Sequence, residues 1–156
     1  MKHLIPIVLG VTLFAFAGCP KQLDIDIPLL PGFKTSDEQR IQTLLDNVAK
    51  AVEGRKTSRV MQYISENYQD ADGRDYAGIQ VYLNRLFRDY REIRIRRSRP
   101  SVQVDGDRAR AIETFGTEAI PFNAGDNPPI NIQGQMNVML EKSGTDWRIV
   151  EWGQLQ

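Results

Sequence analysis

Acid–base and nucleophilic chemistry needs side chains that titrate or attack, and this sequence holds few in telling places. It has one cysteine, Cys19, and one histidine, His3. Asp70 lies in Tyr68-x-Asp70-x-x-Gly73, between two helical patterns. Glu113 shares an alternating face with Ala109, Ala111, Phe115 and Ala119, and Glu151 shares one with Trp147 and Ile149. A carboxylate among apolar neighbours has its pKa raised and can act as a general acid or base. If these strand faces line the concave side of a curved sheet, Glu113, Glu151, Asp70 and Trp147 form a candidate pocket. The other reading stays open for each carboxylate. Either glutamate can pair with an arginine or end a strand in water, and Asp70 can cap the bend from Gln69 to Gly73.

The second chemical feature is arginine. Arg85, Arg88, Arg91, Arg94, Arg96, Arg97 and Arg99 crowd together, and Arg108 and Arg110 return on a later strand. Arg94, Arg96 and Arg110 alternate out from Ile93, Ile95, Ala109 and Ala111, which makes them a candidate anion patch on the outer sheet face. Guanidinium groups clamp phosphate or carboxylate at two points. The plainer reading is a solvated face balanced by Asp89, Glu92, Asp105 and Asp107. Met139, Val150 and Trp152 also fall on that outer face, where exposed apolar groups often mark a contact surface.

The elements that must position these residues follow from periodicity. Ser36 is a suitable N-cap, with Asp37 and Glu38 in the first turn. Ile41, Leu44, Leu45, Val48, Ala49 and Val52 then recur at helical spacing as far as Gly54. A short helix spans Thr57 to Ile64, and a third runs from Asp75 to Tyr90. The period then changes to that of strands. Gly106-Asp107 suits a two-residue type II′ hairpin that pairs Val104 with Ala109 and Val102 with Ala111. Strands follow to Phe122, over Ile130–Leu140, and over Asp146–Trp152. The expected fold class is α+β, with three N-terminal helices packed on a curved four-stranded antiparallel meander sheet.

At the N-terminus, Met1-Lys2-His3 precedes an apolar run from Leu4 to Phe16, then Ala17-Gly18-Cys19. A basic start, an apolar core and small residues at the cut make a signal peptide. The run is short of the ~20 residues that a membrane span needs. Ala17-Gly18-Cys19 resembles the lipobox of bacterial lipoproteins, with Phe16 where Leu, Val or Ile is usual. The resemblance implies palmitate-type acylation of Cys19, cleavage before it, and, with Pro20 rather than Asp next, the periplasmic side of the outer membrane. Residues 1–18 are then signal peptide, 19–34 lipidated cysteine and tether, and 35–156 the domain.

Cleavage there also removes His3. Ser-His-Asp catalysis, Cys-His catalysis and the usual zinc sites are then excluded, and no cofactor or metal is expected. Only Lys2 would leave the set of 20 basic residues, against 20 acidic ones. A domain so near neutral is not expected to bind nucleic acid.

Tyr68-x-Asp70-x-x-Gly73 after the second helix, Asp105-Gly106-Asp107-Arg108-Ala109, and Gly144-x-x-Trp147-Arg148-Ile149 occur in that order. Together they resemble the nuclear transport factor 2-like superfamily, the cystatin-like cone shared with ketosteroid isomerases and polyketide cyclases, over about residues 35 to 155. That likeness places Asp70 near the general base of isomerase-like members. It also puts two things against catalysis. The first helix has no tyrosine for an oxyanion hole, and residues 19–156 lack the histidine that dehydratase-like members use. The resemblance implies dimerisation through the outer sheet face in many members. The expectation is therefore a non-catalytic binding domain for a ligand or periplasmic partner. A small isomerase or dehydratase using pocket carboxylates, or a structural subunit of a periplasmic assembly, are the alternatives.

Overall fold

The structure is a computed structural model that describes residues 35–155. The expected signal peptide over residues 1–18, Cys19 and the expected tether lie outside those residues. Helix α1 (Asp37–Glu53) opens with a capping box: the Ser36 hydroxyl accepts from the Gln39 backbone, and the Gln39 side chain accepts from the Ser36 backbone. Its apolar stripe, including Ile41, Leu44, Leu45, Val48 and Val52, is buried against the sheet. Helix α2 (Thr57–Met61) is shorter than the expected span, since the chain turns at Gln62 to run beside the sheet. Helix α3 (Tyr76–Asp89) is capped by Asp75, whose carboxylate accepts from the Gly78 backbone at 2.7 Å.

The sheet comprises β1 (Tyr90–Arg97), β2 (Ser101–Asp105), β3 (Arg108–Pro121), β4 (Ile130–Ser143) and β5 (Asp146–Leu155). It has five strands, where the period alone reads as four. Strands β1 and β2 both pair with β3, one after the other along the same edge, and the order continues through β4 to β5. Pro100, which cannot donate to a ladder, lies in the break between them. The hairpin register is the expected one, Val104 opposite Ala109 and Val102 opposite Ala111. Gly106 takes φ 58° there while Asp107 keeps a negative φ, the pattern of a II′ turn.

A β-bulge bends β5. Met139 pairs with Glu151 and Leu140 with Ile149, so Val150 is the extra residue. The free side of β5 is covered by the strap after α2: Ile149 donates to Tyr63, Ser65 to Ile149, and Gln69 to Val150, all at 2.8–2.9 Å. Ile41, Val48, Val60, Val138, Leu140 and Ile149 form the fully buried centre. Each contributes roughly 1.5–3 kcal/mol by burial. Helices on one side of a curled antiparallel sheet leave an opening beside α3 and the C-terminal end of α1, and the site lies there.

Candidate functional site

A cleft of about 300 Å³ opens between α3, the strap and the concave sheet face. Its walls are mainly apolar: Leu83 and Leu86 from α3, Ile93 and Ile95 from β1, Phe115 and Ala119 from β3, Met136 from β4 and Trp152 from β5. Small residues on β3 make the room, because Ala119 leaves space that a larger side chain would fill. Tyr82 and Ile132 stand at the rim, 43% and 48% exposed. One wall is polar and comes from the strap: Tyr68, Asp70, Asp72 and Arg74. A larger depression of about 830 Å³, between α1 and the β4–β5 turn, is mixed in character. The smaller cleft has the mainly apolar lining with a few convergent polar groups that ligand sites share.

The polar wall is a closed network. Asp70 Oδ1 accepts from the backbone N–H groups of Asp72 and Arg74 at 3.0 and 2.9 Å. Its Oδ2 accepts from the Tyr68 hydroxyl at 3.0 Å and from Arg74 Nε at 2.8 Å. The Arg74 guanidinium also pairs with Asp72 and lies over the Tyr82 ring, 4.7 Å from its centre. Burial raises the Asp70 pKa, but Arg74, through backbone and side chain, and then Tyr68 outweigh it, so the net direction is downward. Burial, with the Asp70 charge beside it, pushes the Tyr68 phenol up. Tyr68 is therefore a neutral donor and Asp70 a fixed carboxylate. A group with four donors and a depressed pKa is a poor proton acceptor.

Of the residues singled out for the pocket, Asp70 alone lines this cleft. Glu113 faces inward as expected, yet its carboxylate is held by Arg97, with Nε at 2.9 Å, and both side chains are largely buried. Arg97 bonds Asp46 of α1 as well, at 2.8 Å. Glu113 is thus half of an ion pair joining sheet and helix. Glu151 does not share the face of Trp147 and Ile149. The bulge at Val150 shifts the alternation by one residue, puts Glu151 opposite Met139, and brings Trp152 opposite buried Val138. Trp152 consequently lines the cleft instead of the outer face. Trp147 is buried at the other end, under the start of α1, where its indole N–H donates to Asp37 Oδ1 at 3.1 Å.

The arginine patch does not assemble as expected. The hairpin at Gly106-Asp107 brings β2, not β1, beside Arg110. Arg96 stands opposite Gly116 and Arg94 opposite Glu118. Arg96 and Arg110 are therefore separated by about 20 Å along β3, at ~3.4 Å per residue. Each has a local partner: Glu92 for Arg94, Glu118 for Arg96, and the Asn137 side chain for Arg110. Arg97, in the same cluster, points into the protein.

Tyr68, Arg74, Tyr82 and Trp152 were not among the residues picked out for the pocket, and Trp152 had been assigned to the outer sheet face. Tyr68 was visible in its motif with Asp70, and Arg74 follows Gly73 directly. Nothing in the local pattern marks the bulge that turns Trp152 inward. Among the described residues, no group of three or more His, Cys, Asp or Glu is placed to hold a metal ion.

Comparison with known proteins places the fold. No protein-family model matches the sequence, and no curated protein is similar to it at a significant level. Solved structures do match. A nuclear transport factor 2-like superfamily protein from Salmonella enterica serovar Typhimurium superposes with TM-score 0.65 at 14% identity, covering 76% of this chain and 91% of that one. A structure described as a putative scytalone dehydratase from Novosphingobium aromaticivorans gives TM-score 0.66 at 11% identity, over 76% and 83%. Bd1075 of Bdellovibrio bacteriovorus gives TM-score 0.65 at 14% identity over 75% of this chain, which spans only 40% of that longer one. The chain has the nuclear transport factor 2-like cone fold. Members of that fold are often isomerases or dehydratases.

Proposed function

We propose that this chain is a bacterial outer-membrane lipoprotein, anchored through Cys19, whose cone binds a small, mainly apolar ligand without converting it. The observation that carries the reading is Asp70. It is the buried carboxylate on the cleft wall, and its oxygens are already taken by Arg74, Tyr68 and the strap backbone. A general base must reach the proton it removes and sit near the working pH. Asp70 meets neither need, and the other titratable groups among the described lining residues, Tyr68, Asp72, Arg74 and Tyr82, all touch the same network. The Ala17-Gly18-Cys19 motif supports the anchor, and two or more acyl chains hold a protein stably on a membrane.

One observation favours a rival. Tyr68 and Asp70 form a hydrogen-bonded pair at the wall of an apolar cleft, an arrangement that would suit an isomerase or dehydratase. The two readings part in one experiment. 3-Cyclohexenone is incubated with the full chain, and its conversion to the conjugated isomer is followed by absorbance beside Asp70→Asn. The binding reading expects the buffer rate from both proteins. Conversion above buffer that Asp70→Asn abolishes would replace it with the isomerase reading.

A further inference from the structure

We propose that the cleft selects apolar molecules carrying an ammonium group and disfavours equally sized carboxylates and phosphates. The proposal rests on the binding reading above and adds the charge of the ligand. It comes from the balance of charge at the polar wall. Asp70 and Asp72 both line the cleft, and Arg74 is the lone cation among its described lining residues. A single guanidinium between two carboxylates leaves the wall net negative. Glu151, next to Trp152 in β5, adds to the same field, since its charge also acts on the Tyr68 phenol.

The geometry says where the head group would lie. Asp70 is closed to a ligand, with a side chain only 2% exposed and both oxygens in use. Asp72 is different. Its side chain is 66% exposed at the mouth, and only one of its oxygens is engaged by Arg74. An ammonium there gains a charge-assisted hydrogen bond and keeps part of its hydration. The apolar body then runs inward past Tyr82 and Ile132 towards Trp152. A carboxylate in the same pose would meet Asp72 and could reach only an Arg74 already held by two aspartates. A cleft of about 300 Å³ is at the small end of ligand sites, which limits the body to roughly one ring and a short chain.

The test uses a matched series: 4-phenylbutylamine, 4-phenylbutanol and 4-phenylbutyrate. Binding to the full chain in neutral detergent is measured by titration calorimetry, with detergent alone as reference. The amine is expected to bind about tenfold tighter than the alcohol, and the acid about tenfold weaker, a spread reasonable for one net negative charge on a largely exposed wall. Asp72→Asn should narrow the gap between amine and acid and leave the alcohol unchanged. Equal affinity for all three probes, or a preference for the acid, overturns the charge selection and leaves the binding reading standing. Failure of all three to bind overturns both.

Discussion

Removing Arg97 should expose what Glu113 is for. Arg97 and Glu113 are 11% and 9% exposed at their side chains, and Asp46, on the solvent side of the same guanidinium, is 62% exposed. Arg97→Met keeps the length of the side chain and leaves Glu113 charged, buried and unpaired. Breaking a buried pair in this way costs about 3–5 kcal/mol. Because water still reaches Asp46 and part of Arg97, the lower end applies, about 3 kcal/mol. With a urea slope of roughly 1.5 kcal/mol per molar, the unfolding midpoint should fall by about 2 M. The double variant Arg97→Met, Glu113→Leu removes both charges and fills the same space. It should recover to within about 1 kcal/mol of the parent, since an apolar pair often replaces a buried ion pair without loss. Urea unfolding followed by circular dichroism measures all three proteins. A single variant that costs less than 1 kcal/mol, or a double variant as unstable as the single, would refute the assignment of Glu113 as the structural partner of Arg97.

Other consequences are as direct. Trp147→Ala should cost about 3–5 kcal/mol in the same urea assay, because it empties a buried aromatic site and removes the bond to Asp37. The pH dependence has a definite sign. Lys142 and then Trp147 draw the Asp37 pKa below its ordinary 3.8, and the Asp70 pKa is lowered too. A carboxylate with a depressed folded pKa stabilises the protein above its unfolded value and loses that contribution as pH falls through the folded one. The urea midpoint should thus drop below about pH 4, and Asp70→Asn should flatten the fall. Mass spectrometry of membrane-extracted protein should find an acylated Cys19 at the N-terminus, and an intact Met1 or a free Cys19 thiol would remove the anchor.

What could be read from the sequence and what could not divides along physical lines. The N-cap at Ser36, the Val104–Ala109 register and the inward face of β3 were legible. Each depends on residues near one another in the chain and on strict periods of about 3.6 or 2. The bulge at Val150 was not, because an inserted residue changes facing without changing residue types. That one residue moved Trp152 into the cleft and Glu151 out of it. The split of the first strand at Pro100 had the same effect on the arginines, sending β1 to the far half of β3. Asp70 was recognised as either a base or a turn cap. The choice depended on Arg74 and two backbone N–H groups, partners that a linear motif does not show.

The central claim is that the cleft beside α3 is a ligand site. The measurement that tests it most directly is calorimetric titration of 4-phenylbutylamine into the parent chain and into Thr117→Phe. Thr117 lines the cleft from β3 and is half-buried, so a ring there fills the space while the centre of the core stays untouched. The parent should bind, and the filled variant, with unchanged near-ultraviolet circular dichroism, should not. Parent-like affinity in the filled and folded variant would contradict it.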